Sequence, residues 1–274
     1  MNDFARINFE NFYKFDLDKN QLPAFTKKNL VFLTALIQND SSYRNSFDKD
    51  NPESSAFLLS KAFPTEDNIY DVVKRIDIEN STHLSVSGMK KEGNKQNNQG
   101  ISIFVEGLLE RGLENIKKQI QHGVPEIVDE LAVLVPNRLN FSFATKFCTY
   151  CNRYCFGKDD YSIYDSVVSN ILPYYAYVYL GEKYWKDIHS KNPRKKSTIE
   201  KTFVKIKNKD GKFQPNYAGY QKLIGEILCA IQEKSHTAVS RKIFDWMLWY
   251  YYKNDKRRQQ TAYNCLGHHD CILE

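Results

Sequence analysis

The spacing of apolar residues along this chain predicts an almost wholly helical protein. Apolar positions recur three and four residues apart, which is the period of a helix with one buried face. The pattern predicts helices over residues 26–38, 55–63, 69–76, 103–121, 124–135, 217–232 and 239–252, one around Lys146 and one behind Asp165. Residues 39–54 and 80–100 are polar and are predicted to be loops, the second of them mobile. The predicted fold class is all-α.

Lys146 is the first candidate for chemistry, because it lies in a short apolar segment beside Phe143, Ala144 and Phe147. Apolar surroundings disfavour the charged form of an amine, so we expect the pKa of Lys146 to fall and part of it to be a free nucleophile near neutral pH. The alternative is an ordinary surface lysine.

Asp165 is the second candidate and follows Lys146 by 19 positions. The apolar run behind it, which begins at Val167, predicts a helix that Asp165 starts. Backbone amides at a helix start stabilise an ionised carboxylate, which can then face a developing positive charge. A nucleophilic amine and a fixed carboxylate are together suited to cleaving a glycosidic bond at a sugar C1′ through a Schiff base. The alternative is that Asp165 is a helix N-cap and nothing more.

The segments around these two residues resemble the helix-hairpin-helix DNA glycosylases, which include the 8-oxoguanine and endonuclease III types. In that family a hairpin of the form Gly-apolar-Gly-x-Lys opens the helix of the catalytic lysine, and a catalytic aspartate follows before an apolar helix. Residues 142–146 (SFATK) match the hairpin and residues 163–168 (IYDSVV) match the aspartate segment. Ser142 and Ala144 replace the two glycines, and they adopt positive φ less readily than glycine does.

The resemblance implies a single two-lobed helix-hairpin-helix domain over residues 1–274. Residues 1–100 are expected to form an N-terminal arm and scaffold helices, 101–180 the hairpin and catalytic helices, and 213–274 the C-terminal helices. It further implies that Lys146 is the nucleophile, that Asp165 is the electrostatic stabiliser, and that Ser142, Ala144 and Thr145 contact DNA. The implied reaction is excision of a damaged or modified base, with or without AP-lyase activity, in repair or in defence against modified phage DNA.

Positive charge is concentrated in residues 191–212. This segment holds nine Lys or Arg against Glu200 and Asp210, a net charge of +7, whereas the whole chain carries +6. A local field of this sign suits a polyanion, so we expect double-stranded DNA as partner, with Arg194, Lys195 and Lys196 on its backbone. The alternative is a solvated loop kept soluble by its lysines.

No cofactor, metal or membrane is expected. No apolar run approaches the roughly 20 residues of a membrane span, and the N-terminus lacks the features of a secretion signal, so a cytoplasmic protein with reduced thiols is expected. An iron-sulfur cluster of the kind that some helix-hairpin-helix glycosylases carry needs four cysteines near the C-terminus, and this chain has only two there. The residues of a zinc-site alternative are Cys148, Cys151, Cys155, Cys265, His268, His269 and Cys271.

Two rival functions therefore remain beside the glycosylase. One is a non-catalytic DNA-binding module of the same fold, which the missing hairpin glycines favour and the retained Lys146 and Asp165 oppose. The other is an interaction protein organised by zinc on the cysteines.

Overall fold

The computed structural model describes residues 15–20, 22–39, 51–52, 54–85, 99–181 and 199–252. Within these ranges the chain is helical and forms no sheet; its extended pairings there are two isolated antiparallel bridges, Leu17–Pro23 and Lys207–Phe213. The all-α prediction is confirmed for these residues. The predicted DNA contacts at Arg194, Lys195 and Lys196, the predicted mobility of 86–98 and the four zinc candidates from Cys265 to Cys271 lie outside them.

The described ranges contain ten α-helices and two short π-helices. The α-helices are α1 (Lys27–Asn39), α2 (Ser55–Lys61), α3 (Ile69–Asn80), α4 (Gln99–Arg111), α5 (Leu113–Gln121), α6 (Glu126–Ala132), α7 (Phe141–Tyr150), α8 (Ser166–Leu180), α9 (Tyr217–Ser235) and α10 (Arg241–Tyr252). The π-helices are Cys151–Cys155, directly behind α7, and Glu200–Val204. None of the helices described here is long and apolar enough to cross a membrane.

The prediction of one helix over residues 103–121 is wrong, because the chain turns at Gly112. Gly112 has φ 81°, a left-handed value that favours glycine, and its N–H closes α4 on the carbonyl of Leu109 at 3.0 Å. Its own carbonyl then accepts the N–H of Ile116 at 3.2 Å and begins α5. The spacing of apolar residues continues through this break, so the pattern alone predicts a single helix.

The chain divides into two compact units. Unit 1 comprises Met1–Arg44, Asp165–Ile199 and Lys222–Glu274, and unit 2 comprises Asn45–Tyr164 and Glu200–Gln221. Lys146 belongs to unit 2, and Asp165 is the first residue of a segment of unit 1.

Aromatic rings fill the core of unit 1. Phe244 of α10 lies parallel to Phe25 at 6.0 Å between centroids and edge-on to Tyr175 of α8 at 5.4 Å. Tyr174, the neighbour of Tyr175, is also buried and donates its hydroxyl to the carbonyl of Asn20 at 2.6 Å. These contacts join α8, α10 and the segment before α1, and they show that both tyrosines belong to the core.

Unit 2 is built around α7. Phe104 of α4 lies edge-on to Phe143 and Phe147 of α7, with ring centroids 4.9 and 6.2 Å apart. On another side of α7, Phe141 contacts Tyr164 at 5.5 Å. Nine of the ten residues of α7 are buried. Lys146 lies in the middle of this helix. A charged side chain there has little access to solvent, because neighbouring residues cover almost the whole helix.

Candidate functional site

The Lys146 side chain is buried on α7. It is only 6% exposed, and its Nζ lies 3.5 Å from Ser142 Oγ, one helical turn earlier. Ser142 is the one residue of α7 that keeps partial exposure. A buried ammonium costs free energy, and desolvation favours the neutral amine that a nucleophile requires. Lys146 is therefore buried and is not a surface lysine, while its role in catalysis stays a prediction.

The hairpin predicted at residues 142–146 is wrong in position, because these residues lie inside α7. The turn precedes them: α6 ends at Ala132, and the carbonyl of Ala132 accepts the N–H of Asn140 at 2.8 Å. Asn137, in the connection between α6 and α7, has a left-handed φ of 62°. Ser142 and Ala144 are therefore in helical conformation, and their lack of glycine flexibility imposes no strain.

The three residues predicted to contact DNA on this helix differ in accessibility. Ala144 and Thr145 are fully buried, whereas Ser142 is partly exposed. The Thr145 hydroxyl donates a hydrogen bond within unit 2, to the carbonyl of Ser142 at 3.0 Å. DNA contact by Ser142, Ala144 and Thr145 stays a prediction, and of their side chains Ser142 is the accessible one.

Residues 156–164 join the first π-helix to Asp165, and we call them the connector. After residue 156, which is still helical, the connector has no regular secondary structure. Two polar residues of the π-helix hold its first half. Asn152 donates to Asp160 Oδ2 at 2.9 Å and accepts the N–H of Asp160 at 2.9 Å, and Arg153 donates to Asp159 Oδ1 at 2.8 Å. Because Asn152 and Arg153 are both buried, these bonds also satisfy groups that would be costly to leave unpaired.

The second half of the connector is held by tyrosines from the start of α9. The Tyr217 hydroxyl accepts the N–H of Ser162 at 2.7 Å and lies 3.0 Å from the Ser162 carbonyl, to which it donates. Tyr220 donates its hydroxyl to the carbonyl of Ile163 at 2.7 Å. The backbone of Tyr217 is fixed in turn, because its N–H donates to both carboxylate oxygens of Asp129 at 2.9 and 3.0 Å.

The connector ends on α7 itself. The N–H of Tyr164 donates to Thr145 Oγ1 at 3.1 Å, and the Tyr164 carbonyl lies 3.4 Å from the same oxygen. Thr145 directly precedes Lys146, and Tyr164 directly precedes Asp165. The chain neighbours of the two candidate residues are therefore hydrogen bonded inside unit 2.

Asp165 starts α8, which confirms the prediction of its local structure. Its backbone is extended, with φ −136° and ψ −172°, and its carboxylate accepts the N–H of Val168 at 3.0 Å. The Asp165 carbonyl accepts the N–H of Ser169 at 2.8 Å and makes the first bond of the helix. The carboxylate is thus held in one orientation at the positive end of a helix and keeps partial exposure.

Of the three cysteines near Lys146, Cys148 and Cys151 are buried and Cys155 is partly exposed. Burial raises the pKa of Cys148 and of Cys151 well above the ordinary value, and a hydrogen bond with Cys155 adds to the shift of Cys151. In the part of the chain that the structure describes, no three His, Cys, Asp or Glu side chains are grouped to hold a metal ion.

Sequence reasoning missed the residues that hold the connector: Asn152, Arg153, Tyr217 and Tyr220. One signal was present, since Asn152 and Arg153 are polar residues in a segment that is otherwise apolar, and buried polar groups need partners. The partners themselves had no sequence signal.

Comparison of the chain with models of protein families, with curated proteins and with solved structures found no match.

Proposed function

We propose that this protein is a DNA glycosylase with a two-lobed helix-hairpin-helix fold, which excises a damaged or modified base from double-stranded DNA. Lys146 is the nucleophile and Asp165 stabilises the positive charge that develops on the sugar. The observation that carries this proposal is the hydrogen bond from the Tyr164 N–H to Thr145 Oγ1 at 3.1 Å. It fixes the residue before Asp165 onto the helix that carries Lys146.

The environment of Lys146 supports its role as nucleophile. An amine at the sugar C1′ has to be neutral to attack, and burial of Lys146 favours the neutral form. As the amine forms its bond to C1′, the glycosidic bond breaks, and the base leaves with the bonding electron pair and takes up a proton. Loss of the amine proton and opening of the sugar ring then give a Schiff base, from which AP-lyase chemistry can follow.

The geometry of Asp165 supports its role as stabiliser. Charge on the sugar develops only in the transition state, so a carboxylate that is already oriented needs no rearrangement at that moment. The hydrogen bond from Val168 provides this orientation, and the partial exposure of Asp165 leaves its carboxylate accessible.

A helix–turn–helix arrangement around the lysine supports the fold. Helices α6 and α7 are joined by residues 133–140, with a left-handed residue at Asn137, and Lys146 lies in the second turn of α7. The family pattern has the same order of helix, turn and lysine-bearing helix. The turn lies earlier in the sequence than residues 142–146.

One observation favours the non-catalytic DNA-binding module as second candidate. Asp165 caps α8, and helix capping alone is a sufficient reason for an aspartate at that position. The glycosylase and the binding module differ in one outcome, since only the glycosylase releases a base from DNA.

The experiment is incubation of the purified protein with duplexes that each contain one damaged base or one modified base of the phage type. Abasic sites are then revealed by strand cleavage in hot alkali. The matched control is the double variant Lys146→Ala/Asp165→Asn, prepared in the same way to account for contaminating enzymes. Abasic sites above this control in at least one duplex support the glycosylase, whereas equal signals across the panel contradict it.

A further inference from the structure

Each of the two isolated bridges closes a hairpin, and the two hairpins share one turn design. In the first hairpin, closed by Leu17–Pro23, the N–H of Asp18 donates to the carbonyl of Leu22 at 2.8 Å. The Asp18 carboxylate accepts the N–H groups of Asn20 and Leu22 at 2.8 and 3.0 Å. This is a turn whose backbone is fixed by its own side chain.

The second hairpin, closed by Lys207–Phe213 and called the lysine hairpin below, repeats these bonds at the same spacing. The N–H of Asn208 donates to the carbonyl of Lys212 at 2.9 Å, and the Asn208 side-chain oxygen accepts the N–H groups of Asp210 and Lys212 at 3.1 and 2.9 Å.

Each hairpin leads at the same spacing into a capped helix. Thr26 Oγ1 accepts the N–H of Asn29 in α1 at 3.2 Å, and Asn216 Oδ1 accepts the N–H of Gly219 in α9 at 2.9 Å. Each hairpin is therefore followed, at the same spacing, by a helix whose start is capped by a side chain.

The two tips differ in what surrounds them. In the first hairpin Leu22 is fully buried, and the carbonyl of Asn20 accepts the Tyr174 hydroxyl, so this tip packs against its own unit. In the lysine hairpin the position that corresponds to Leu22 is Lys212, which is exposed. The first tip serves packing, whereas the second presents its side chains to solvent.

The lysine hairpin concentrates positive charge on this fixed turn. Lys207, Lys209 and Lys212 are all exposed, with Asp210 the one acidic residue among positions 207–212. The Lys207 ammonium lies 5.0 Å from the centroid of the Phe213 ring, which holds its stem against the hairpin. Like charges on one short turn repel each other, and phosphates relieve the repulsion. Because the turn is already ordered, binding has to immobilise only side chains.

We propose that the lysine hairpin binds the sugar-phosphate backbone of duplex DNA through Lys207, Lys209 and Lys212. This inference rests on the proposed function, which makes DNA the partner, and it assigns backbone binding to described residues in addition to those predicted at Arg194, Lys195 and Lys196. The interaction is electrostatic and indifferent to base sequence.

The test compares two triple variants of the full-length chain. Lys207→Gln/Lys209→Gln/Lys212→Gln removes the three charges that are proposed to bind phosphate. The matched control removes the same charge from exposed lysines of the first hairpin and α1 by the substitutions Lys19→Gln, Lys27→Gln and Lys28→Gln. Affinity for an unmodified duplex, on which no base is excised, is measured by fluorescence anisotropy over a series of KCl concentrations. Circular dichroism checks that both variants remain folded.

The hairpin variant is expected to bind more weakly and to flatten the dependence of log affinity on log salt. The slope should fall by about 0.9 for each phosphate that is no longer neutralised, hence by about 2.7 for three lysines. The control variant should stay close to wild type. Equal slopes in the two variants would overturn the inference, and so would tighter binding of the wild type to vesicles of anionic phospholipid than to the duplex.

The outcomes for the hairpin and for the proposed function are distinguishable. If the wild type excises a base and the hairpin variant keeps its slope, the hairpin assignment fails and the glycosylase stands. If the slope flattens and the wild type excises no base, the hairpin assignment stands and the glycosylase proposal fails.

Discussion

The backbone N–H of Tyr164 donates a hydrogen bond to Thr145 Oγ1 at 3.1 Å, across 19 positions of sequence. Both residues are buried, so neither group has water as an alternative partner. The same hydroxyl donates to the carbonyl of Ser142, and one side chain therefore joins the start of α7 to the end of the connector. Through this bond the helix of Lys146 and the residue that precedes Asp165 are held together.

Thr145→Val should destabilise the protein by about 1–3 kcal/mol, because it keeps the side-chain shape but leaves the buried Tyr164 N–H without its partner. Base release should slow as well, since the end of the connector is no longer fixed. Thr145→Ser is the matched control, because it keeps the hydroxyl and loses only a methyl group. Urea denaturation measures the stability of all three proteins, and an equal loss in the Val and Ser variants would show that the hydroxyl has no such role.

Asp129 makes the stability of the protein depend on pH. Its pKa is raised from 3.8 to about 6, mainly by burial, with repulsion from Glu126 and Glu130 adding to the shift and the hydrogen bond from the Tyr217 N–H opposing it. Between these two values the folded protein binds more protons than the unfolded chain, so this contribution to stability falls as pH rises. The favourable part is fully present below pH 3.8 and lost above about pH 6.

Asp129→Asn should remove this slope while leaving an oxygen that accepts the Tyr217 N–H. The measurement is the free energy of unfolding of wild type minus that of Asp129→Asn, from urea denaturation at a series of pH values. The difference should decrease from about pH 4 to pH 6 and then level off. Asp210→Asn, at an exposed position of the lysine hairpin, is the control for removal of one charge and should reproduce the wild-type slope. A difference that is constant over the range would contradict the assignment to Asp129.

The helices were largely predictable from the sequence because the spacing of apolar residues within each helix reveals which of its faces is buried. Asp165 at the start of α8 was predictable for the same local reason. The break at Gly112 was not, since Leu108, Ile116 and Ile120 all remain buried on either side of it and the apolar rhythm shows no interruption.

The position of the hairpin was misjudged because small residues are compatible with a turn and with a helix alike. In Ser142–Lys146 the deciding influence is the packing of Phe143 and Phe147 on Phe104, which no local pattern reveals. The connector was beyond sequence reasoning altogether. Its bonds join Ser162 to Tyr217 and Ile163 to Tyr220, residues far apart in the chain that only the fold brings within hydrogen-bond distance.

Asp165→Asn should lower base excision by orders of magnitude while leaving DNA affinity unchanged or slightly tighter. In the proposed mechanism its carboxylate acts on charge that exists only in the transition state, and removing a negative charge near the phosphates of bound DNA would not weaken binding. Asparagine caps helices as well as aspartate does, so thermal stability should change little, whereas Asp165→Ala should lose about 1 kcal/mol.

The pair of variants separates capping from chemistry. Excision rates are measured under single-turnover conditions, and DNA affinity and melting temperature are measured on the same preparations. Comparable excision loss in Asp165→Asn and Asp165→Ala, with stability lost only in the second, supports the electrostatic role. Wild-type excision by Asp165→Asn would make Asp165 a structural cap and would refute the proposed mechanism.

The central claim, that the buried amine of Lys146 attacks C1′, is tested most directly by borohydride trapping. With the duplex that gives abasic sites, reduction of the Schiff base should give a covalent protein–DNA adduct that migrates as a shifted band in a denaturing gel. We predict this band for the wild type and for Lys118→Ala, which removes an exposed lysine of α5, and no band for Lys146→Ala. A band of wild-type intensity from Lys146→Ala, or no band from a wild type that releases the base, would contradict the assignment of Lys146 as nucleophile.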